Sequence, residues 1–314
     1  MKRSTLLEAF GPFLGLAFII GLFALLVGPR FISTSNLTLV AVQTVVVALG
    51  AMGMTLVIIS GGIDLSVGSM IALTTVVTAL GLQSGFPVLP AAGLGMAAGG
   101  LCGLVNGLLI TQLRIVPFIV TLGMLGMARG AAKYLAGEQK VDAPLTWLNK
   151  VMYKTPEPSW LLLSPGIWIM ILLALAVWFL LRYTILGRHT FAIGSSEATA
   201  RLCGVRVERV KVILYILCGL FTGLAGVMQF ARLSVGDPTV AVGRELDIIA
   251  AVVIGGGSLS GGEGSVLGSL VGAFLMAFLR SGCTMMGFPN YIQDILVGAI
   301  IIIAAGLDQL RRRR

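Results

Sequence analysis

The sequence predicts an all-α, polytopic transmembrane helical bundle of about ten helices, with Gly-rich junctions that break or re-enter it. Three observations carry that class. Hydrophobic residues make up 57% of the 314 positions and charged residues only 11%, with a mean hydropathy of +1.00, too apolar for a water-soluble domain of this length. The apolar residues gather in windows near the roughly 20 residues that a membrane-crossing helix needs. The ten-residue alternation of an outer-membrane barrel is absent. One membrane domain, residues 1–314, accounts for the chain.

Helices are expected at about 10–28, 37–59, 66–82, 88–112, 116–135, 163–181, 212–231, 246–258, 264–281 and 290–307. Met1-Lys2-Arg3 ahead of the run from Phe10 to Gly28 has the look of a secretion signal. The run is too long and lacks a small-x-small cleavage site, so it reads as an uncleaved first helix. Two long loops remain, 136–162 and 182–211. If the segments alternate, Lys2, Arg3, Arg114, Arg182, Arg188, Arg201, Arg206, Arg209, Lys211 and Arg311 to Arg314 share one side. Cytoplasmic loops collect Lys and Arg, so that side and both termini are expected to be cytoplasmic.

The net charge of +9 is therefore a topology signal and no nucleic-acid partner is expected; the partner of the apolar surface is the lipid bilayer. The other side carries Lys133, Lys140, Lys150 and Lys154 interleaved with Glu138, Asp142 and Glu157, and the 136–162 loop holds Trp147 and Trp160 as interfacial anchors. Cys102, Cys203, Cys218 and Cys283 have no paired spacing, which implies neither a disulfide framework nor a metal site.

Glycines recur every four residues at Gly95, Gly99, Gly103 and Gly107, and again at Gly264, Gly268 and Gly272. Lipid gives helices no hydrophobic reason to associate, so close backbone approach at small residues is the expected packing device. Asn106, one position before Gly107, is a candidate for a buried interhelical amide.

The junction GGIDLSVGS, Gly61 to Ser69, places Asp64 between two apolar runs. A carboxylate at membrane depth costs about 2.5–3.5 kcal/mol on insertion scales and faces protein or water. Asp64 and Ser66 are candidates for a translocation path or its inner gate, with Gly61, Gly62 and Gly68 permitting the bend; the alternative is a turn at the cytoplasmic face. A second glycine-rich join, Gly255 to Ser265, echoes the first, through either duplication or simple turn chemistry.

Residues 186–212 hold the one substantial polar stretch on the basic side. Ser195 or Ser196 can cap a helix start, Glu197 then meets the helix dipole, and Gly204 suits a left-handed stop, which predicts a two-turn helix from near Ser196 to Cys203. Two turns are unstable alone in water, so this helix needs a surface, either its own bundle or a partner protein. Glu197 and Arg201 stand four apart and are able to pair.

GGIDLSVGS, VPFIVTLGML from Val116 to Leu125, GSSEATARLCGV and ELDIIAAVVIGGGSLSGGEGS from Glu245 to Ser265 together resemble the membrane permeases of bacterial ribose-type ABC sugar importers, over nearly the whole chain. Arg129 and the Arg311 to Arg314 tail stand outside that pattern. The resemblance implies a bacterial inner-membrane subunit, paired with a second permease copy, either identical or a paralogue, two ATP-binding subunits and a periplasmic sugar-binding protein. It also implies that the ATPase-coupling loop comprises Gly194, Ser195, Ser196, Glu197, Ala198, Thr199, Arg201, Leu202 and Gly204. No G-x-x-x-x-G-K-[ST] loop occurs, so ATP and Mg are expected in the partner ATPase and no cofactor on this chain.

Two rival functions remain in view. An intramembrane hydrolase needs a base near Ser66 or a second acid, yet the one histidine is His189 in the basic loop, and Asp247, Glu263 and Asp294 fall near expected helix ends. An ion-coupled secondary transporter would use a broken helix and a lone acid without any ATPase.

Overall fold

The computed structural model describes the backbone of residues 3–155 and 161–312, and side chains from 11 to 155 and from 161 to 306. Lys2, the side chain of Arg3, Glu157, Trp160 and the side chains of the Arg311 to Arg314 cluster lie outside the described residues. The elements run α1 Arg3–Val27, α2 Thr34–Ile59, α3 Val67–Gln83, α4 Val88–Gln112, α5 Pro117–Ala136, β1 Val141–Asp142, α6 Trp147–Lys150, α7 Pro165–Tyr183 and α8 Ile185–Ser195. They continue with α9 Glu197–Leu202, α10 Val207–Leu233, β2 Val235–Gly236, α11 Arg244–Ile254, α12 Val266–Met285 and α13 Asn290–Arg312. Among the described residues, five helices (α2, α4, α7, α10 and α12) are long and apolar enough to cross a membrane.

Apolar all round, α2 is the buried pillar: 94% of its most apolar stretch is enclosed, against 28% for α4. Side chains in the bundle are replaced by backbone where helices must touch. A Cβ on Gly99 would stand 2.4 Å from the Gly219 carbonyl oxygen, one on Gly103 2.1 Å from that of Tyr215, and one on Gly107 2.9 Å from the Cα of Val212, so α4 rides directly on α10. Gly95 turns instead toward Thr78 of α3. On α12, Gly268 and Gly272 meet the carbonyls of Gly255 and Ala251 at 1.9 and 2.0 Å by the same measure. Gly264 does not belong to that stripe: α12 begins at Val266, capped by Ser265, and Gly264 sits before it at φ +157°.

Three other departures from the sequence expectation matter. The window at 246–258 yields α11, eleven residues ending at Ile254, only about 16 Å of helix and too short to span. The basic loop contains two helices, because Thr184 caps a new one: its hydroxyl accepts from the Gly187 amide and α8 follows α7 after one extended residue. The 136–162 loop is partly ordered into structure. Val141 and Asp142 pair antiparallel with Gly236 and Val235, and Thr146 with Asn149 forms a reciprocal capping box on α6.

Candidate functional site

The first glycine junction is a helix break closed by its own side chains. After Ile59 the chain turns at Gly61 with φ +81°, and Tyr215 occupies the space that a Cβ on Gly62 would need. Asp64 is completely buried. Its Oδ1 accepts from the Ser66 amide at 2.8 Å and from the Ser66 hydroxyl, and its Oδ2 accepts from Asn106 Nδ2 at 3.3 Å. Asn106 Nδ2 also donates to Ser66 Oγ at 3.2 Å. The free carbonyl of Ile63 is met from two sides, by the hydroxyls of Thr121 and Tyr215 at 3.4 Å each. A polar turn at membrane depth is tolerated when protein satisfies it, and here α4, α5 and α10 each contribute one group. Of the residues that sequence reasoning assigned to this junction, Asp64, Ser66 and Asn106 form one hydrogen-bonded cluster; Gly68 does something else.

Gly68 lies where a second break enters the bundle. After α10 the chain descends along α3: Gly236 packs on Ala79, Asp237 and Thr75 share hydrogen bonds, and the carbonyl of Ala241 comes within 2.7 Å of where a Cβ on Gly68 would be. Residues 236–241 thus pass eleven residues of α3, about 16 Å, before α11 begins. This re-entrant segment, SVGDPTVAVG, is held in left-handed turns at Ser234 and Ala241, with φ of 62° and 60°, conformations that cost non-glycine residues energy and collect at functional sites. Arg129 of α5 pins it, its Nη1 donating to the carbonyls of Pro238 and Val240 at 2.9 and 2.7 Å. Glu245, in the first turn of α11, lies against Gly68, and its Oε2 is buried with no hydrogen-bond partner. Beyond it Asp247, in the first turn of α11 near a helix end as expected but wholly buried, is held by Arg280 through two contacts of 2.8 Å and by Arg244 at 3.0 Å. Sequence reasoning noted Arg129 only as standing outside the resemblance and Glu245 only as the start of a matching block, and gave neither them nor this loop a role; the signal was Gly236, Pro238 and Gly243 between two helical windows.

The polar segment at the basic end is rigidly built. Ser196, extended at φ −163° and ψ 105°, separates α8 from α9 and caps α9 by accepting from the Thr199 amide. Gly204 ends it at φ +83°. Ala200 is buried, while Ala198, Thr199, Arg201 and Leu202 are exposed; Leu202 is 89% exposed, an apolar side chain presented to solvent. Glu197 accepts from Lys211 at 2.6 Å and from Arg201 at 2.9 Å, and Arg201 also reaches Glu208. Burial pushes the Glu197 carboxyl up, but the hydrogen bonds from Lys211 and Arg201 outweigh it and hold the group below the usual carboxylate range. Beside this clasp opens a groove of about 280 Å³ whose lining includes Arg114, Pro117, Glu197, Arg201 and Lys211.

Three glycine-rich turns meet at one point. A Cβ on Gly194, at the end of α8, would fall 1.7 Å from the Ile59 carbonyl oxygen and 2.4 Å from the Gly262 nitrogen. The Gly262 amide donates to that same Ile59 carbonyl at 2.9 Å, and Gly261 leaves 2.9 Å to the Gly61 Cα. Ser195 stands on Gly262 in the same contact. The segment bearing α9 is therefore seated, backbone on backbone, on the junction at the end of α2 and on the loop between α11 and α12.

A helical bundle broken at two polar re-entries and carrying a short exposed helix at its basic end has the architecture of a multi-pass membrane transport protein. The chain matches, over residues 36–305, the family described as branched-chain amino acid transport system / permease component, and it belongs to that permease family. It is 38% identical over 284 residues to the ribose import permease protein RbsC of Escherichia coli strain K12, covering 90% of this chain and 88% of the relative. It is equally identical over 306 residues to the protein of that name in Bacillus subtilis strain 168, covering 96% and 93%. The fructose import permease protein FrcC of Rhizobium meliloti is 33% identical over 93% of this chain and 82% of its own length. No solved structure matches the chain.

Proposed function

We propose that this chain is the membrane permease of an ATP-driven importer that moves a monosaccharide, ribose or a close relative, across the bacterial inner membrane. The observation that carries the reading is similarity along almost the whole chain to permeases named for ribose and fructose import. It displaces the ion-coupled alternative, and it favours sugar over the amino acid in the family's description. ATP hydrolysis belongs to separate subunits, which bind the nucleotide and Mg.

The basic end, with α9 and both termini, faces the cytoplasm in this reading, and the 136–162 loop faces the sugar-binding protein. Two ATP-binding subunits and a second permease copy complete the assembly. Exposed Leu202 and the groove beside Glu197 and Arg201 receive the ATPase. A push on α9 travels through Gly194 to Ile59 and Gly262 together, because backbone atoms in contact transmit displacement with no slack. The Asp64–Ser66–Asn106 cluster, with Gly61 and Gly62 as bending points, is the inner gate. A sugar hydroxyl buried without a partner costs about 1–3 kcal/mol, so a path through this apolar bundle must offer polar groups when the gate opens.

The test is uptake in proteoliposomes holding the complete transporter. ATP inside and binding protein outside should drive accumulation of labelled ribose, with labelled leucine as the control. Uptake driven by a proton or sodium gradient without ATP, or leucine uptake in place of ribose, defeats the proposal.

A further inference from the structure

Glu245 is the one acid in the re-entrant region whose carboxylate is left incomplete. Asp237 is used by Thr239 and Lys140, and Asp247 is used by Arg244 and Arg280. Glu245 Oε2 has no hydrogen-bond partner although buried, an arrangement that is ordinarily costly, and more so for a charged group. Nothing fills it because Gly68 offers no side chain and the Ala241 carbonyl repels rather than donates. Arg129 comes in from α5, its Nη1 on the carbonyls of Pro238 and Val240 in the same 236–241 segment whose Ala241 carbonyl borders Gly68. It lies within electrostatic reach of Glu245 but forms no ion pair with it, since Nη1 is committed to the loop carbonyls. Among the described residues, its Nε and Nη2 have no partner.

An acceptor and a donor held apart on rigid supports are what a neutral polyol requires. A carboxylate accepts from one or two adjacent hydroxyls, and a guanidinium donates to hydroxyl or ring oxygens. The surroundings fit a wet station rather than a sealed core. Thr239 is exposed, Val242 is 73% exposed on the same loop, and irregular backbone at membrane depth belongs where it lines a cavity. The contrast with Asp64, which lacks no partner, is direct.

We infer that Glu245 and Arg129, set where the 236–241 segment meets Gly68, form a recognition station for the hydroxyls of the transported sugar. The inference rests on the monosaccharide reading above. It adds the residues that touch the substrate and makes Gly68 the position that gives Glu245 its room.

The experiment uses the complete transporter in proteoliposomes, with labelled D-ribose as probe and Glu245→Gln, Glu245→Asp and Arg129→Lys as variants. Uptake by Glu245→Gln and Arg129→Lys should fall at least tenfold, the loss expected when a hydrogen bond to a charged group is removed. Glu245→Asp should recover part of it, and the permease should co-purify with its ATP-binding subunits at the unaltered level throughout. Uptake within twofold of the unaltered protein in Glu245→Gln overturns the assignment. So does loss of co-purification in that variant, which would make Glu245 a structural residue. If the unaltered transporter itself moves no ribose, the functional reading falls first and this one with it, whereas ribose uptake that survives Glu245→Gln removes the station alone.

Discussion

Both the turn at Asp64 and the loop at 234–243 interrupt helices inside an apolar bundle, yet they treat their polar groups in opposite ways. At Asp64 every charged oxygen is answered, by Ser66 and Asn106, and neighbouring hydroxyls meet the Ile63 carbonyl. At 234–243 a carboxylate oxygen of Glu245 is left over, and two non-glycine residues are held in left-handed conformations. A break whose acid is fully answered acts as a hinge or gate; its one unmet side-chain atom is Asn106 Oδ1, a neutral acceptor rather than a carboxylate oxygen. An open break stores unused hydrogen-bonding capacity, which binding can recover. Stability and function are thereby separated along one helix, α3, which begins at the first break and supports the second.

The largest effect tests whether the closed break is the one that the α8 end moves. Gly194→Ala puts a methyl 1.7 Å from the Ile59 carbonyl and 2.4 Å from the Gly262 nitrogen, backbone atoms that cannot turn aside. Ribose uptake should fall at least about 100-fold, with overpacking of this kind costing about 1–3 kcal/mol or more. Near-normal uptake would mean that the α8 end is not seated on both junctions in the working protein.

Next in size is the comparison of the two acids by thermal unfolding of purified protein in detergent. Asp64→Leu strands Ser66 and Asn106, at about 1–3 kcal/mol for each group left unmet, and should lower the unfolding midpoint by roughly 5–10 °C. Glu245→Gln alters a side chain whose Oε2 already lacked a partner and should shift the midpoint by no more than about 2 °C. Equal shifts would erase the distinction between a closed and an open break. Gly68→Ala falls between them. Its methyl would meet Glu245 Oε2 at 2.1 Å, which can swing, and the Ala241 carbonyl at 2.7 Å, which is fixed. A loss of about tenfold in uptake, with a midpoint lowered by a few degrees, is expected.

The sequence made some of this plain and concealed the rest for identifiable reasons. Long apolar windows betray spanning helices because lipid leaves no other option, and Ser196 and Gly204 mark α9 because capping and left-handed turns need particular residues. The α8 start at Thr184 carries the same kind of cap, but it lies one residue beyond a spanning helix, where a loop was the simpler reading. The re-entrant loop was hidden by composition. VAVG after Pro238 is as apolar as a helix, and only its contacts with Gly68, Thr75 and Ala79 reveal its depth. Gly264 was assigned to a stripe by its spacing alone, though the Ser265 cap one residue on excludes it from the helix. Arg129 stood out in the sequence as a lone cation, and its partners, two backbone carbonyls, carry no signature in side-chain identity.

The smallest expected effect concerns the clasp that presents α9, and its sign follows from Glu197. Lys211 and Arg201 depress the folded carboxyl below its ordinary value, against the opposing influence of burial. A depressed carboxylate contributes stability that is complete above the unfolded value near pH 4.3 and is lost as pH falls through the folded value. Amide hydrogen exchange across Glu197–Leu202, corrected for the intrinsic rate, should therefore give the same opening free energy at pH 8 and pH 5. Below about pH 4 it should decline, by at most about 1 kcal/mol because Glu197 is partly exposed and solvent screens the pair. Glu197→Gln should remove the acid limb while leaving the Ser196 cap. A decline already evident between pH 8 and pH 6 would mean that a different group governs the docking helix, and that the clasp is not what sets its position on the groove.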